Sequence, residues 1–161
     1  MRKSVLVIVD MQTEFSDAAK IVLKENLDAI RIAKQKNMFI VVLEFRGCGE
    51  TIKPIQKSLE KYPLVTYKQK NMCGGSSHVR EALKENNISP NRFFVTGVYS
   101  DACVHETVTG LAEKYSPIPV VVIDDAVADF CESGYEKSRR SKRNIKVQKG
   151  KVNKKTFVLS T

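Results

Sequence analysis

The stretch from Phe93 to Ala126, FFVTGVYSDACVHETVTGLAEKYSPIPVVVIDDA, decides the fold. Phe93, Phe94 and Val95 form a short apolar run stopped by Gly97, the pattern of a buried strand. Ser100 and Asp101 are both good helix N-caps, and Val104, Val108, Leu111 and Ala112 then recur at helical spacing as far as Lys114. Pro119–Asp124 predicts a second strand. Strand, tight turn, helix, strand is the unit of a parallel sheet, because parallel neighbours need a crossover between them. Cys103 falls in the first turn of the helix, where free amides and the helix dipole favour an anion, so its thiolate is expected to be stabilised. The same amides can hold a developing oxyanion. A small buried thiol beneath a helix leaves the same local pattern, and this segment alone admits both readings.

Outward from that stretch the alternation continues. Val5–Val9 is apolar and largely β-branched throughout, as suits a central strand covered on both faces, and it ends at Asp10. Ser16 and Asp17 offer caps for one long helix to about Lys36, with Ala19, Leu23, Leu27, Ile30 and Ala33 on its inner face. Further strands are expected at Met38–Phe45 and Leu64–Lys68, with helices at Thr51–Lys61 and Ser77–Asn86. Ser133–Arg143 predicts a basic helix, Ile145–Gln148 a sixth strand and Thr156–Leu159 a last extended piece. The whole pattern predicts a three-layer α/β/α sandwich with a mostly parallel central sheet, in a single domain over residues 1–161. In such sheets ligands bind beyond the carboxyl ends of the strands, where strand order reverses. Asp10, Lys68 and Cys103 all fall at or just past such ends.

Three features belong together: Asp10-Met11-Gln12 after the first strand, Lys68 ending the third, and Thr96-Gly-Val-Tyr-Ser-Asp-Ala-Cys-Val-His-Glu-Thr107. With Asp124-Asp125-Ala126 after the fifth strand, they resemble the isochorismatase-like cysteine hydrolases, which include nicotinamidases and N-carbamoylsarcosine amidase. The cysteine segment is the specific part of that likeness. The resemblance implies a strand order like 3-2-1-4-5-6 and a catalytic triad of Asp10, Lys68 and Cys103. It also implies a non-proline cis peptide at Val98–Tyr99, with the Tyr99 and Cys103 amides as oxyanion donors. Lys68 and Lys70 share a face of an extended chain, so alternation does not separate them. The family register favours Lys68, because Ser77 and Val79 then stand nine and eleven residues on, where the next helix opens.

Composition narrows the class. A hydrophobic fraction of 42% with 28% charged residues is that of a globular protein, and no apolar run is long enough to span a bilayer. A cytoplasmic chain is expected, with its four cysteines as free thiols, since no C-x-x-C spacing occurs. The net charge of +9 is concentrated in residues 133–155, which hold ten Lys and Arg against one acid. With no aromatics interleaved for base stacking, this basic segment reads as a solvated face, and nucleic acid is not an expected partner.

The chemistry follows from the residue types. A cysteine at neutral pH needs a base, and Asp10 can take its proton and later return it to a leaving amine. The relatives that bind metal carry an Asp-x-His after the second strand, whereas this chain reads Glu44-Phe45-Arg46-Gly47-Cys48 there, and its only histidines are His78 and His105. No metal or other cofactor is therefore expected. Phe15, Phe45, Arg46, Met72, Cys73 and Tyr99 are the candidate pocket residues for a small-molecule substrate. The reading is a metal-independent hydrolase of a C–N bond in a small amide or carbamoyl compound, acting through a thioester and, by resemblance, assembled as a homo-oligomer. The alternatives are a vinyl-ether hydrolase of the isochorismate type and a catalytically idle relative that binds a partner.

Overall fold

The computed structural model describes residues 1–130, 132–135, 142–152 and 157. Its centre is β1 (Arg2–Val9), which pairs in parallel with β2 (Phe39–Phe45) on one side and β4 (Ser89–Val98) on the other. β3 (Val65–Lys70) extends the sheet beyond β2, and β5 (Val120–Ala128) and β6 (Ile145–Gln148) extend it beyond β4. All six strands are parallel, in the order β3-β2-β1-β4-β5-β6. The expected fold and strand order are both present.

Burial on both faces explains why β1 is apolar throughout. Leu6 and Ile8 face one layer, with α1 (Ser16–Ile21), α2 (Leu23–Gln35) and α3 (Lys53–Leu59). Val5, Val7 and Val9 face the other, with α4 (Ser76–Glu85) and α5 (Cys103–Lys114). Fully burying each such aliphatic side chain contributes about 1.5–3 kcal/mol, so this one strand ties both layers together. Gly97 marks the closest approach, since a Cβ there would collide with the Val9 carbonyl, and its φ of 115° is one that side chains rarely adopt.

The structure differs from the sequence expectation in several elements, among them β5, which runs to Ala128 rather than ending at Asp124. The single helix expected from Ser16 to Lys36 is broken at Val22, whose carbonyl accepts the side-chain amide of Asn26 at 2.9 Å. That same amide also reaches the Ala126 carbonyl at 2.9 Å, which holds the break against β5. β3 likewise runs two residues past its expected end, through Lys70, because β2 continues to pair with it as far as Phe45. Ser133 bridges back to Ala128. Most of the expected basic helix and the whole segment Thr156–Leu159 except Phe157 lie outside the described residues. Among the described residues, no helix is long and apolar enough to cross a membrane.

Candidate active site

Strand order reverses between β1 and β4, and the chain leaves both strands there by unusual backbone. Asp10 follows β1 with φ at 50°, and the peptide after β4, Val98–Tyr99, is cis. The turn then closes on itself: Ala102 and Val104 both donate to the Tyr99 carbonyl at 3.1 Å, and Ser100 donates to Ala128 at 2.9 Å. α5 starts at Cys103, whose side chain is 8% exposed as part of the α4–α5 layer.

The cation in this site is Lys70, and this corrects the expectation of Lys68. Lys70 Nζ lies 2.7 Å from Asp10 Oδ2, with side-chain exposures of 0% and 1%. Its ammonium also donates to the Met72 carbonyl at 3.2 Å and sits 4.5 Å from the centre of the Phe45 ring. Lys68 instead binds Glu85 of α4 at 2.7 Å. The cause is the longer strand. Both lysines point to the same side, but Lys68 is one pleat short, roughly 7 Å down the strand, and falls beside α4 rather than the strand ends.

Burial dominates the protonation of this cluster. Asp10 has its pKa raised from the ordinary carboxylate value, since desolvation outweighs the pull of the Lys70 charge and hydrogen bond. Asp10 Oδ1 is buried and has no geometric hydrogen-bond partner. The Cys103 thiol is pushed up to about 12, by burial first and then by the Asp10 charge and a hydrogen bond to that carboxylate. Lys70 pulls the other way, less strongly. Burial thus opposes the expected stabilisation of a thiolate by the helix start. Burial is the main cause of this upward shift, and the Asp10 charge adds to it.

The other expected residues take different places. Phe15 packs edge-on against Tyr99 with centroids 5.4 Å apart, and Tyr99 stacks on Phe130 at 4.3 Å. Phe130, which is 69% exposed, was not legible as a site residue, since nothing in a lone Phe after β5 signals a stacking partner. Phe45 covers Lys70 with its ring. Arg46 is exposed and contributes its N–H, which donates to the Lys70 carbonyl at 2.8 Å. Met72 contributes a carbonyl while its side chain is 61% exposed. Cys73 is exposed, and its charge adds a small upward push on Cys103. Its loop is pinned to α5 by Gly75, whose N–H donates to Thr107 Oγ1 at 3.0 Å.

Gln12 turns out to be structural glue for the site. Its Nε2 donates to the carbonyls of Phe45 at 3.0 Å and Gly49 at 2.7 Å, and its Oε1 accepts the Phe45 N–H at 2.6 Å. It therefore locks the end of β2, and with it the ring over Lys70, to the end of β1. A metal does not fit here. Glu44 is committed to Thr51, His105 to the Tyr135 hydroxyl and His78 to Ser77. Among the described residues no three His, Cys, Asp or Glu side chains gather as a metal site.

Comparison with known proteins bears on the family and the fold. The family model described as the isochorismatase domain matches residues 4–147. No curated protein sequence matches the chain. Among solved structures it is similar to N-carbamoylsarcosine amidase from Thermoplasma acidophilum, with a TM-score of 0.69 and 16% identity over 99% of each chain. It is also similar to the nicotinamidase SaPncA from Staphylococcus aureus, with a TM-score of 0.69 and 20% identity over 81% of this chain and 87% of that one. A third is the MAR1 ribonuclease from Caenorhabditis elegans, with a TM-score of 0.68 and 21% identity. There the match covers 80% of this chain and 66% of that one, slightly under two thirds of its length. At these identities the structural likenesses carry the fold.

Proposed function

The chain belongs to the isochorismatase family and is a hydrolase of that family, and from that premise we propose that it cleaves a C–N bond of a small amide or carbamoyl compound, with Cys103 as nucleophile. The observation that carries this reading is the buried Asp10–Lys70 pair set against the Cys103 thiol.

In the proposed reaction Cys103 Sγ attacks the substrate carbonyl carbon while its proton passes to Asp10. A carboxylate with a raised pKa is a better match for this transfer than an ordinary one. Lys70 keeps Asp10 ionised and oriented before attack. The oxyanion of the tetrahedral intermediate accepts hydrogen bonds from the Tyr99 and Cys103 N–H groups. Collapse breaks the C–N bond, and Asp10 returns the proton to the leaving amine or ammonia. Water then attacks the thioester, again losing a proton to Asp10, and the acid leaves as the thiol is restored. Phe15 and Tyr99 border the acyl site. No step in this scheme calls on a metal. By family resemblance the working form is a homo-oligomer, which light scattering checks.

With the Cys103 pKa raised by burial, general alkylation is a poor reporter of this nucleophile. The test is turnover of a panel of small amides, ureido acids and nicotinamide, with intact mass recorded during reaction. Release of ammonia or amine is expected, with an acyl adduct on Cys103 that Cys103→Ala abolishes. A folded protein that releases nothing from any of them and forms no adduct sinks the proposal.

A further inference from the structure

The loop between β3 and α4 lays a second thiol beside the proposed nucleophile. Cys73 is exposed, and the chain on both sides of it is anchored around Cys103. On one side the Met72 carbonyl accepts the Lys70 ammonium at 3.2 Å. That ammonium lies 2.7 Å from Asp10, the hydrogen-bond partner of Cys103. On the other side the Gly75 N–H donates to Thr107 Oγ1 at 3.0 Å, and a Cβ on Gly74 would stand 3.7 Å from that of Glu106. Glu106 and Thr107 follow Cys103 by three and four residues on α5, so they neighbour it on one face of the helix. Cys103 and Thr107 are about 6 Å apart along the axis. Two residues of extended chain span about 7 Å, so from Gly75 the loop reaches back to the level of Cys103 at Cys73. The Met72 anchor fixes that direction. Cys73 is close enough for its charge to push the Cys103 thiol up.

The two thiols are unequal toward an oxidant, because thiol oxidation follows exposure and thiolate character. Cys103 is 8% exposed and burial pushes its thiol up to about 12, and both oppose direct oxidation. Cys73 stands in solvent, where a small oxidant reaches it first. Asp10 is in place to take the Cys103 proton when that sulfur attacks. A disulfide needs Cα atoms about 4.4–6.8 Å apart. Cys73 is the end that adjusts, since it is exposed on a loop and Gly74 follows it with no neighbour closer than ordinary contact.

We propose that Cys73 is an oxidation site for a hydroperoxide, and that Cys103 resolves the oxidised sulfur as an intramolecular disulfide. With hydrogen peroxide, the Cys73 sulfur attacks one peroxide oxygen and the O–O bond breaks. The departing hydroxide takes the thiol proton and leaves as water, and Cys73 becomes a sulfenic acid. Cys103 Sγ then attacks the Cys73 sulfur while its proton passes to Asp10. The S–S bond forms, the S–O bond breaks, and the departing hydroxide takes that proton and leaves as a second water. Two thiols and one peroxide thus give one disulfide and two waters. The disulfide holds Cys103 out of use until an external thiol reduces it. This chemistry needs the placement of two thiols and a base, not the hydrolysis of an amide, and mass reads it without turnover.

Intact mass and non-reducing peptide mapping of the full chain, after treatment with hydrogen peroxide, test the proposal. The wild type is expected to lose the mass of two hydrogen atoms, with the peptides carrying Cys73 and Cys103 linked and dithiothreitol restoring both thiols. Cys73→Ser, at an exposed position that leaves the core intact, is expected to form no such link. Its Cys103 should lose its free thiol at least about tenfold more slowly than in the wild type. Cys103→Ala removes the resolving thiol, so Cys73 should accumulate as a sulfenic acid that dimedone traps. Oxidation of Cys103 ahead of Cys73 overturns the proposal. So does a disulfide from Cys73 to another cysteine or to a second copy of the chain. A sulfenic acid that persists on Cys73 beside a reduced Cys103 in the wild type overturns it as well.

Discussion

The two ends of the sheet treat a buried cation in opposite ways. At the carboxyl end Lys70 is sealed against Asp10 at 2.7 Å. At the amino end Arg92 is also buried, and among the described residues it has an aromatic ring but no anion. The first pairs its charge within the protein, although Asp10 Oδ1 keeps no hydrogen-bond partner, and burial there raises the pKa of both the carboxyl and the thiol. In the second, among the described residues, a ring rather than an acid faces the charge. Burial therefore means different things depending on what satisfies the charge.

The sharpest way to break the comparison is at Lys70. Lys70→Met leaves Asp10 buried without its partner, and breaking such a pair costs about 3–5 kcal/mol. Urea unfolding should show a loss of that order, and turnover should fall at least about 100-fold with loss of the poised base. The double variant Asp10→Asn, Lys70→Met should recover most of the stability and none of the turnover, because replacing a whole buried pair is close to neutral. Full activity in Lys70→Met would mean that the pair is structural only.

The pH dependence of stability gives the next largest effect. Cys103 is raised from an ordinary 9.0 to about 12 in the folded protein. Between those values the unfolded chain has lost a thiol proton that the folded chain retains. Its contribution is therefore fully present below about pH 9 and is lost as pH rises toward about 12. Thermal melting of wild type and Cys103→Ala should diverge across that window, with the wild type falling more steeply. Parallel curves would show that the thiol is not held protonated by its surroundings.

How much of this was legible in the sequence depends on the range of the interaction. The parallel sheet was, because strands buried on both faces must be continuously apolar, as Val5–Val9 and Val120–Ile123 are. Asp10 and Cys103 were also visible, since each directly follows such a strand or its turn. Choosing the lysine failed because positions 68 and 70 share a face. The strand end that separates them is set by pairing with Phe45 on β2, not by local propensity. The upward push on the thiol was not legible because a helix start is a local signal, while burial and the charge of Asp10 come from packing against other elements. Arg92 carried no signal, because an arginine near a strand start ordinarily reaches water.

A smaller effect is expected at Arg92. Replacing an already unpaired buried cation removes a desolvation penalty and no hydrogen bond. Arg92→Met in anion-free buffer should therefore change stability by less than about 1 kcal/mol or raise it. A loss comparable to that of Lys70→Met would show that Arg92 is held by the protein after all, and the two ends would no longer differ.

The smallest effect is predicted at Lys68, and it serves as the control for the whole comparison. Its ammonium is as close to Glu85 as Lys70 is to Asp10, 2.7 Å in both pairs. Distance alone would rank them equal. Glu85, however, is 56% exposed, so water screens the pair and solvates either partner when the other is removed. Such exposed pairs contribute about 0–1 kcal/mol. Lys68→Ala should therefore unfold within about 0.5 kcal/mol of wild type and keep its turnover and its alkaline pH profile. If Lys68→Ala instead matched Lys70→Met in activity, the catalytic cation would move one pleat down β3, and the longer strand would have no functional consequence.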